Sequence, residues 1–353
     1  MIQKLDIRKR FPDADHHFVG YFSDPDSGLS GFVAIHRAKG PHPSFGATRM
    51  MPYENADEAL RDALRLSRLM SYKAALSDLP YGGAKAVIIG DPLDSRRKTI
   101  LRSYANHVNS LRGKFVTGSD IGLSDSDVHF LGSLSKYVVG KETDPARHTV
   151  LGLFLALQVA LRHVFGSSDI RERTFAIQGL GKIGMGLFKL LAPQAKYIYI
   201  SDPDERKIQE AQKFSSWVTP VPSGEIHASS ADVFSPCALG SALTRNNAEE
   251  VKAKIVVGGA NNQLEDDSVA SVLHARNILY APDYVVNAGG LISVASEFEG
   301  QPEEIHVSRR VGRIGETLDK ILRESERRKE APVLVSNRMA EASIRNHNKI
   351  TYA

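Results

Sequence analysis

Residues 174–202 read TFAIQGLGKIGMGLFKLLAPQAKYIYISD, and their order decides the fold. Thr174–Gln178 is an apolar run of strand length. It enters Gly179-Leu180-Gly181-Lys182-Ile183-Gly184, a G-x-G-x-x-G, and a helical pattern opens at Lys182. A second apolar run, Tyr197–Ser201, ends at Asp202. Strand, glycine loop, helix, strand and terminal acid in this order form a dinucleotide-binding βαβ fingerprint. Gly179 permits the tight turn, Gly181 lets a pyrophosphate approach the backbone, and Gly184 lets helix and strand pack closely. The helix N-terminus offers free N–H groups and partial positive charge to phosphates. Asp202 is placed to accept from ribose hydroxyls and to repel a 2′-phosphate, which favours NAD over NADP. Arg206 and Lys207 lie nearby and work against that preference. The alternative is a glycine turn that binds nothing.

Outward from this unit, strand and helix patterns keep alternating. A long apolar helix covers Thr149–Phe165, a helix starts at Glu205, and strands fall near Val233, at Ile255–Val257 and at Ile278–Ala281. That alternation predicts α/β architecture with a doubly wound parallel sheet. The N-terminal part is also α/β. Gly31–His36 and Lys85–Gly90 read as strands. Asn55 with Glu58 forms an N-x-x-E helix start, and Leu60, Ala63, Leu64 and Met70 keep helical spacing toward a core. Tyr81-Gly82-Gly83 reads as a glycine turn. The expected division is a first domain over 1–140, a nucleotide-binding domain over 141–330, and C-terminal helices over 331–353 that return to the first domain.

Composition narrows the function classes. The 353 residues carry a net charge of +4, and 42% are hydrophobic, which suits two globular domains. The densest charged run, Arg323–Glu330, alternates signs as a solvated helix face does, so no nucleic-acid partner is expected. Cys237 is the single cysteine, which excludes an internal disulfide and a cysteine-based zinc site and fits a reducing cytoplasm. Twelve histidines show no metal-ligand spacing, so no metal is expected. No stretch approaches the roughly 20 apolar residues of a membrane span, and the charged N-terminus is not a secretory signal.

Two lysines stand out. Lys73 closes a helix, and Lys85 opens an apolar strand, where a charge is costly without a partner or a task. Either they serve a site or their amines snorkel outward.

Around these lysines the chain resembles the glutamate, leucine, phenylalanine and valine dehydrogenases. The likeness rests on Gly46-Ala47-Thr48-Arg49-Met50, Ser71-Tyr72-Lys73-Ala74-Ala75, Pro80-Tyr81-Gly82-Gly83-Ala84-Lys85 and Thr117-Gly118-Ser119-Asp120. It continues through Phe234–Gly240, Gly259–Leu264 and Asn287-Ala288-Gly289-Gly290, collinear from about Gly31 to Ile344. It is read here as closest to the leucine dehydrogenase branch. The resemblance implies oxidative deamination of an L-amino acid to a 2-oxo acid and ammonium with NAD, by a homo-oligomer, dimer or octamer, assembled through the first domain. It implies that Lys73 grips the substrate carboxylate, Lys85 acts as general acid/base, and Asp120 moves a proton at the amino group. Gly40, Met70 and Asn261 are implied substrate neighbours. Thr149, Cys237, Ala238, Leu239, Asn261 and Asn287 are implied to border the cofactor beside the glycine loop. A positive charge at Lys73 and a buried cleft are expected to depress the Lys85 pKa.

The pattern departs from leucine dehydrogenase at Lys39, where that branch has leucine and the glutamate-specific members have a lysine. Leu291 and Val294 remain apolar, as in the leucine-type enzymes. The substrate expected is a branched-chain or other apolar amino acid. Alternatives are an acidic, aromatic or specialised amino acid, kept open by Lys39, or a non-catalytic NAD sensor. Cys237 is read as packing.

Overall fold

The computed structural model describes residues 2–214, 216–238, 240 and 242–350, with side chains through Arg345. The chain forms two compact units. One comprises residues 1–144, 293–302 and 340–353, the other residues 145–292 and 303–339.

The first unit contains β1 (Gln3–Lys4), β2 (Phe18–Asp24), β3 (Leu29–Arg37), β4 (Ser44–Phe45), β5 (Thr48–Met51), α1 (Ala56–Leu76), β6 (Gly82–Ile89), α2 (Arg97–Ser110), β7 (Phe115–Val116) and α3 (Asp125–Leu134). The strands form one sheet in the order β1-β2-β3-β6-β4-β7, with β5 also on β6. The β1–β2, β2–β3 and β3–β6 pairs are antiparallel, and β4 and β5 run parallel to β6. Strand residues alternate between two cores. Phe22, Val33, Ile35, Ala84, Ala86 and Ile88 join Leu101, Tyr104 and Val108 of α2 and Val128 and Leu131 of α3. Val19, Phe32, Ala34 and Val87 meet Ala59, Leu60, Ala63 and Leu64 of α1 instead. With a period of two, Lys85 shares its face with Val87, the face under α1. Helix α1 starts where expected: Asn55 accepts from Glu58 N at 3.0 Å, and Glu58 accepts from Glu54 N at 3.0 Å.

Gly82 and Gly83 form no turn. They open β6, because their backbones are squeezed from two sides. A Cβ on Gly82 would lie 1.8 Å from Arg37 O, and one on Gly83 would lie 2.0 Å from Ser71 N of α1. Gly83 is there for close approach of the strand to α1, and Gly82 for close approach to the end of β3.

The second unit contains α4 (Pro145–Phe165), β8 (Thr174–Gln178), α5 (Lys182–Leu191), β9 (Tyr197–Ser201), α6 (Glu205–Phe214), β10 (Val218–Pro220), β11 (Val233–Pro236), β12 (Ile255–Val256), α7 (Asp267–Ala275), β13 (Leu279–Tyr280) and α8 (Asp283–Val286). Helix α9 (Gly289–Phe298) begins in this unit and ends in the first. Helix α10 (Glu304–Arg328) lies in the second unit, and α11 (Pro332–Ile350) again runs from the second to the first. The sheet order is β10-β9-β8-β11-β12-β13, all parallel. This is the expected Rossmann-type sheet, with the order turning back beside β8.

Three further expectations are revised. Helix α4 is long and apolar enough to cross a membrane by length and composition. In this fold it packs on α5, α8 and α10, burying Leu153, Ala156, Leu157, Ala160 and Leu161. The first boundary falls at Asp144/Pro145, not after 140, because residues 140–143 are held in the first unit: Glu297 accepts from the backbone N–H of Gly140 and Lys141 at 3.0 and 3.1 Å and from Glu142 and Thr143 at 3.2 and 3.3 Å. The C-terminal return begins at Ala340, not 331. Ser336 and Asn337 stay in the second unit, each 2.5 Å from the Tyr284 hydroxyl.

Candidate active site and nucleotide loop

In the first unit, Lys85 and Asp120 meet. The Lys85 ammonium donates to Asp120 Oδ2, and the lysine is 4% exposed. Asp120 follows β7 on the loop after Thr117, whose strand-like pairing with Tyr137 and Val139 fixes that loop. The same carboxylate oxygen accepts from Arg49 Nε at 3.2 Å. Arg49 Nη1 donates to Asp62 Oδ2 at 2.8 Å, and the Tyr53 hydroxyl donates to that oxygen at 2.7 Å. Burial tends to raise the Asp120 pKa, but the charges of Lys85 and Arg49 outweigh it and hold the carboxyl at about 2. Burial pushes the Lys85 amine below its ordinary range; Asp120 opposes that shift and Arg49 adds to it. Arg49 is thus a cation that depresses the Lys85 pKa and that the sequence reading did not name.

Arg49 went unassigned in the sequence reading, although it stands inside the quoted Gly46–Met50 segment. The signal was the one that exposed Lys85: a cation in an apolar strand. Arg49 pairs in register with Val87, so it lies along the α1 face of the sheet with Lys85, opposite Asp62 of α1.

Lys73 is buried in the last turn of α1, the helix that rests on Gly83. Met70 is half-buried on the same helix. Gly40 is exposed with φ of 52°, left-handed backbone that suits glycine, and His42 N donates to Lys39 O at 3.0 Å across that turn. Lys39 is buried, and its ammonium donates to Leu79 O at 3.0 Å; burial lowers its pKa, with Asp78 opposing. Its amine does not reach solvent. Leu291 is buried and Val294 half-buried.

In the second unit, the glycine loop joins β8 to α5. Gly179 has φ of 89°, and a Cβ there would lie 2.8–2.9 Å from Ala238. A Cβ on Gly184 would lie 1.8 Å from Gly179 O. Around Gly181 nothing lies within 4 Å of a Cβ position, and no side chain caps the first turn of α5. Open space before uncapped helix N–H groups suits a pyrophosphate. Lys182 is exposed at that N-terminus. Ile183 packs toward Gly259, where a Cβ would come within 2.4 Å of it. Asp202 Oδ2 accepts from Leu180 N at 2.7 Å, which ties the loop to the end of β9, and Lys207 Nζ lies 3.3 Å from Oδ1.

Asn287 Nδ2 donates to Asn261 Oδ1 at 2.9 Å, whereas the buried Asn287 Oδ1 has no hydrogen-bond partner within the described protein. A buried amide oxygen of this kind suits a ligand donor. The Thr149 hydroxyl donates to Pro145 O at 2.8 Å and keeps its lone pairs. Burial pushes the Cys237 thiol up to about 11, so it stays protonated near neutral pH and is no ready nucleophile. Leu239 lies outside the described residues. The donor set and the open cradle fit NAD.

Comparison with known proteins agrees. Residues 17–135 match the Glu/Leu/Phe/Val dehydrogenase dimerisation domain, and residues 203–343 match the Glutamate/Leucine/Phenylalanine/Valine dehydrogenase domain. Phenylalanine dehydrogenase of Caldalkalibacillus thermarum is 35% identical over 96% of this chain and 93% of its own. Leucine dehydrogenase of Bacillus cereus is 33% identical over 99% and 96%. The crystal structure of L-tryptophan dehydrogenase from Nostoc punctiforme superposes with a TM-score of 0.81, at 36% identity over 97% of this chain and 99% of that one. Identities this even do not single out the leucine branch. Members of this family are NAD-dependent dehydrogenases. Two family domains in sequence, relatives matched nearly end to end and a Rossmann-type sheet with its glycine loop lead to one assignment: the chain belongs to the Glu/Leu/Phe/Val dehydrogenase family and is an amino-acid dehydrogenase.

Proposed function

We propose that this protein oxidatively deaminates a large apolar L-amino acid to its 2-oxo acid and ammonium, and that Lys85 and Asp120 carry the proton chemistry. The observation that carries the reading is the buried Lys85–Asp120 pair beside Arg49, in which the lysine is held below its ordinary pKa. Gly179, Gly181, Lys182, Ile183, Gly184 and Asp202 would hold NAD, with Thr149, Cys237, Ala238, Asn261 and Asn287 beside it. NAD, when bound, supplies the hydride acceptor. Lys73 holds the substrate carboxylate as a point charge, with Gly40, Met70 and Asn261 as further substrate neighbours. Asp120 takes a proton from the substrate ammonium. Once the substrate is an iminium, the neutral Lys85 amine removes a proton from the water that attacks its carbon. The carbinolamine then collapses to oxo acid and ammonium, with Asp120 returning the proton to nitrogen.

Apolar Leu291 and Val294 support an apolar side chain, and Lys39 is engaged with Leu79 O and so gives no support to an acidic one. Relatives named for phenylalanine, tryptophan and leucine all match at similar identity, so aromatic substrates join the branched-chain ones. A homo-oligomer formed through the first unit is in keeping with the dimerisation domain matched there.

The test is NADH formation across the common L-amino acids. Turnover is expected with aromatic or branched-chain substrates, and it should vanish in Lys85→Ala while NAD affinity stays within a few-fold. NAD binding with no turnover on any amino acid would favour a sensor, and turnover retained in Lys85→Ala would refute the assigned role.

A further inference from the structure

One guanidinium ties together two carboxylates and, through one of them, the lysine of the pair. Arg49 is about 9% exposed at its side chain and bridges Asp62 on α1 to Asp120 on its loop. Tyr53 completes the anchor at Asp62 Oδ2. A forked, planar cation can hold two carboxylates in fixed directions, which a lysine in its place could not. We propose that Arg49 is a positioning residue for the reaction: anchored by Tyr53 and Asp62, it fixes Asp120 and shares its charge, so that Lys85 is not that carboxylate's sole counter-ion.

This inference rests on the proposed reaction and adds to it a residue whose guanidinium is engaged with two carboxylates. Among the described residues, Asp120, Arg49 and Asp62 act on Lys85, with Tyr53 behind Asp62, and α1, packed on β6, also carries the buried Lys73. Without Arg49 the Asp120 charge falls more heavily on Lys85. The ammonium form is then favoured, and the amine needed for water activation is populated only at higher pH.

The test compares wild type with Arg49→Met, Arg49→Lys and Tyr53→Phe. The first readout is kcat/KM against pH. The acid limb is expected to move up by about one pH unit in Arg49→Met, so that activity falls roughly tenfold on that limb and recovers toward wild type above it. Arg49→Lys keeps the charge but loses the fork, and Tyr53→Phe loosens the anchor without removing either; both should shift the limb in the same direction by less. A purely structural role would lower the rate equally at all pH values and leave the limb in place, and that result overturns the proposal. Should Arg49→Met fail to fold, Tyr53→Phe still decides it, since an unmoved limb there refutes the anchor.

The second readout needs no turnover. Trace labelling of amines with acetic anhydride, read by peptide mass spectrometry, titrates Lys85 directly. An upward shift of that titration in Arg49→Met supports the proposal even if no amino acid is oxidised, and an unchanged titration refutes it. Absence of wild-type turnover across the amino-acid panel would sink the proposed function instead.

Discussion

Replacing Gly83 with alanine tests whether the close approach of α1 to β6 is what builds the site. A Cβ at Gly83 would stand 2.0 Å from Ser71 N and 2.5 Å from Met70 C, both backbone atoms of α1. Backbone cannot rotate away as a side-chain tip can. Reaching ordinary contact at 3.4 Å requires a displacement of about 1.4 Å between strand and helix. Overpacking of this kind costs about 1–3 kcal/mol, while the stiffer unfolded chain returns about 0.4–1 kcal/mol. The net loss of stability should therefore be modest. Activity should suffer far more, because α1 carries Lys73 and Asp62 while β6 carries Lys85, and a misplacement near 1 Å can lower a rate by about 100-fold. The expected result is a melting temperature lowered by several degrees, kcat/KM down about 100-fold and NAD affinity unchanged, since the glycine loop belongs to the other unit. The measurements are a thermal melt, steady-state kinetics and NAD titration by fluorescence. Activity within twofold of wild type in a folded Gly83→Ala protein would refute the reasoning.

Asp202→Ser should lower kcat/KM with NAD by about 10–100-fold, the scale of one lost charge-assisted hydrogen bond, and narrow the preference over NADP, because Lys207 beside it stays to meet a 2′-phosphate; kinetics with both cofactors decide this, and an unchanged ratio would count against Asp202 as the discriminating acid. His36 gives a pH prediction. It is buried against His16, Tyr72 and Asp15 with Arg37 adjacent, and burial first, then Arg37 and His16, lowers its pKa to about 3 from 6.5. A group with a depressed folded pKa contributes stability that is complete above pH 6.5 and drains away as pH falls toward 3. The slope should reach about 1.4 kcal/mol per pH unit in that window, and His36→Gln should flatten it in denaturant melts; an equal slope in the variant would mean that another group controls acid unfolding.

How much of this could be read from the sequence depended on whether the cause was local. The nucleotide loop was legible because a turn, a close packing and a phosphate cradle each demand glycine within six residues, and short apolar runs on either side named the strands. Lys85 was legible as a candidate because a charge opening KAVII is costly without a partner or a task, although an outward-snorkelling amine fitted the same letters until the resemblance was added. Arg49 carries the same kind of signal, a charge among strand residues, but its meaning depends on Asp62, Tyr53 and Asp120, which come from three separate segments and meet only in the fold. The Gly82-Gly83 pair was misread for a similar reason. Glycines next to proline and tyrosine look like a turn until Arg37 O and Ser71 N are seen on either side. Glu297 shows the limit most plainly. Nothing in SVASEFEG announces that one carboxylate will gather four amides some 155 residues upstream, yet that contact decides where the first unit stops.

The Lys85–Asp120 pair poses an electrostatic conflict that the packing resolves. A carboxylate in contact with an ammonium favours the charged lysine, which is the wrong state for drawing a proton from water. Desolvation works the other way, and it is the larger influence on Lys85. The balance therefore depends on how dry the α1 face of β6 remains. A surface pair with the same geometry would lack that desolvation, and Asp120 would favour the ammonium with less to oppose it. The lowered pKa of Lys85 and the tight seat of α1 on Gly83 are in this sense one property. Lifting α1 admits water, raises the lysine pKa and should move the acid limb of Gly83→Ala upward as well as lowering its height. A Gly83→Ala profile lowered at every pH with its limb unmoved would show that displacement, and not hydration, is what disables the site.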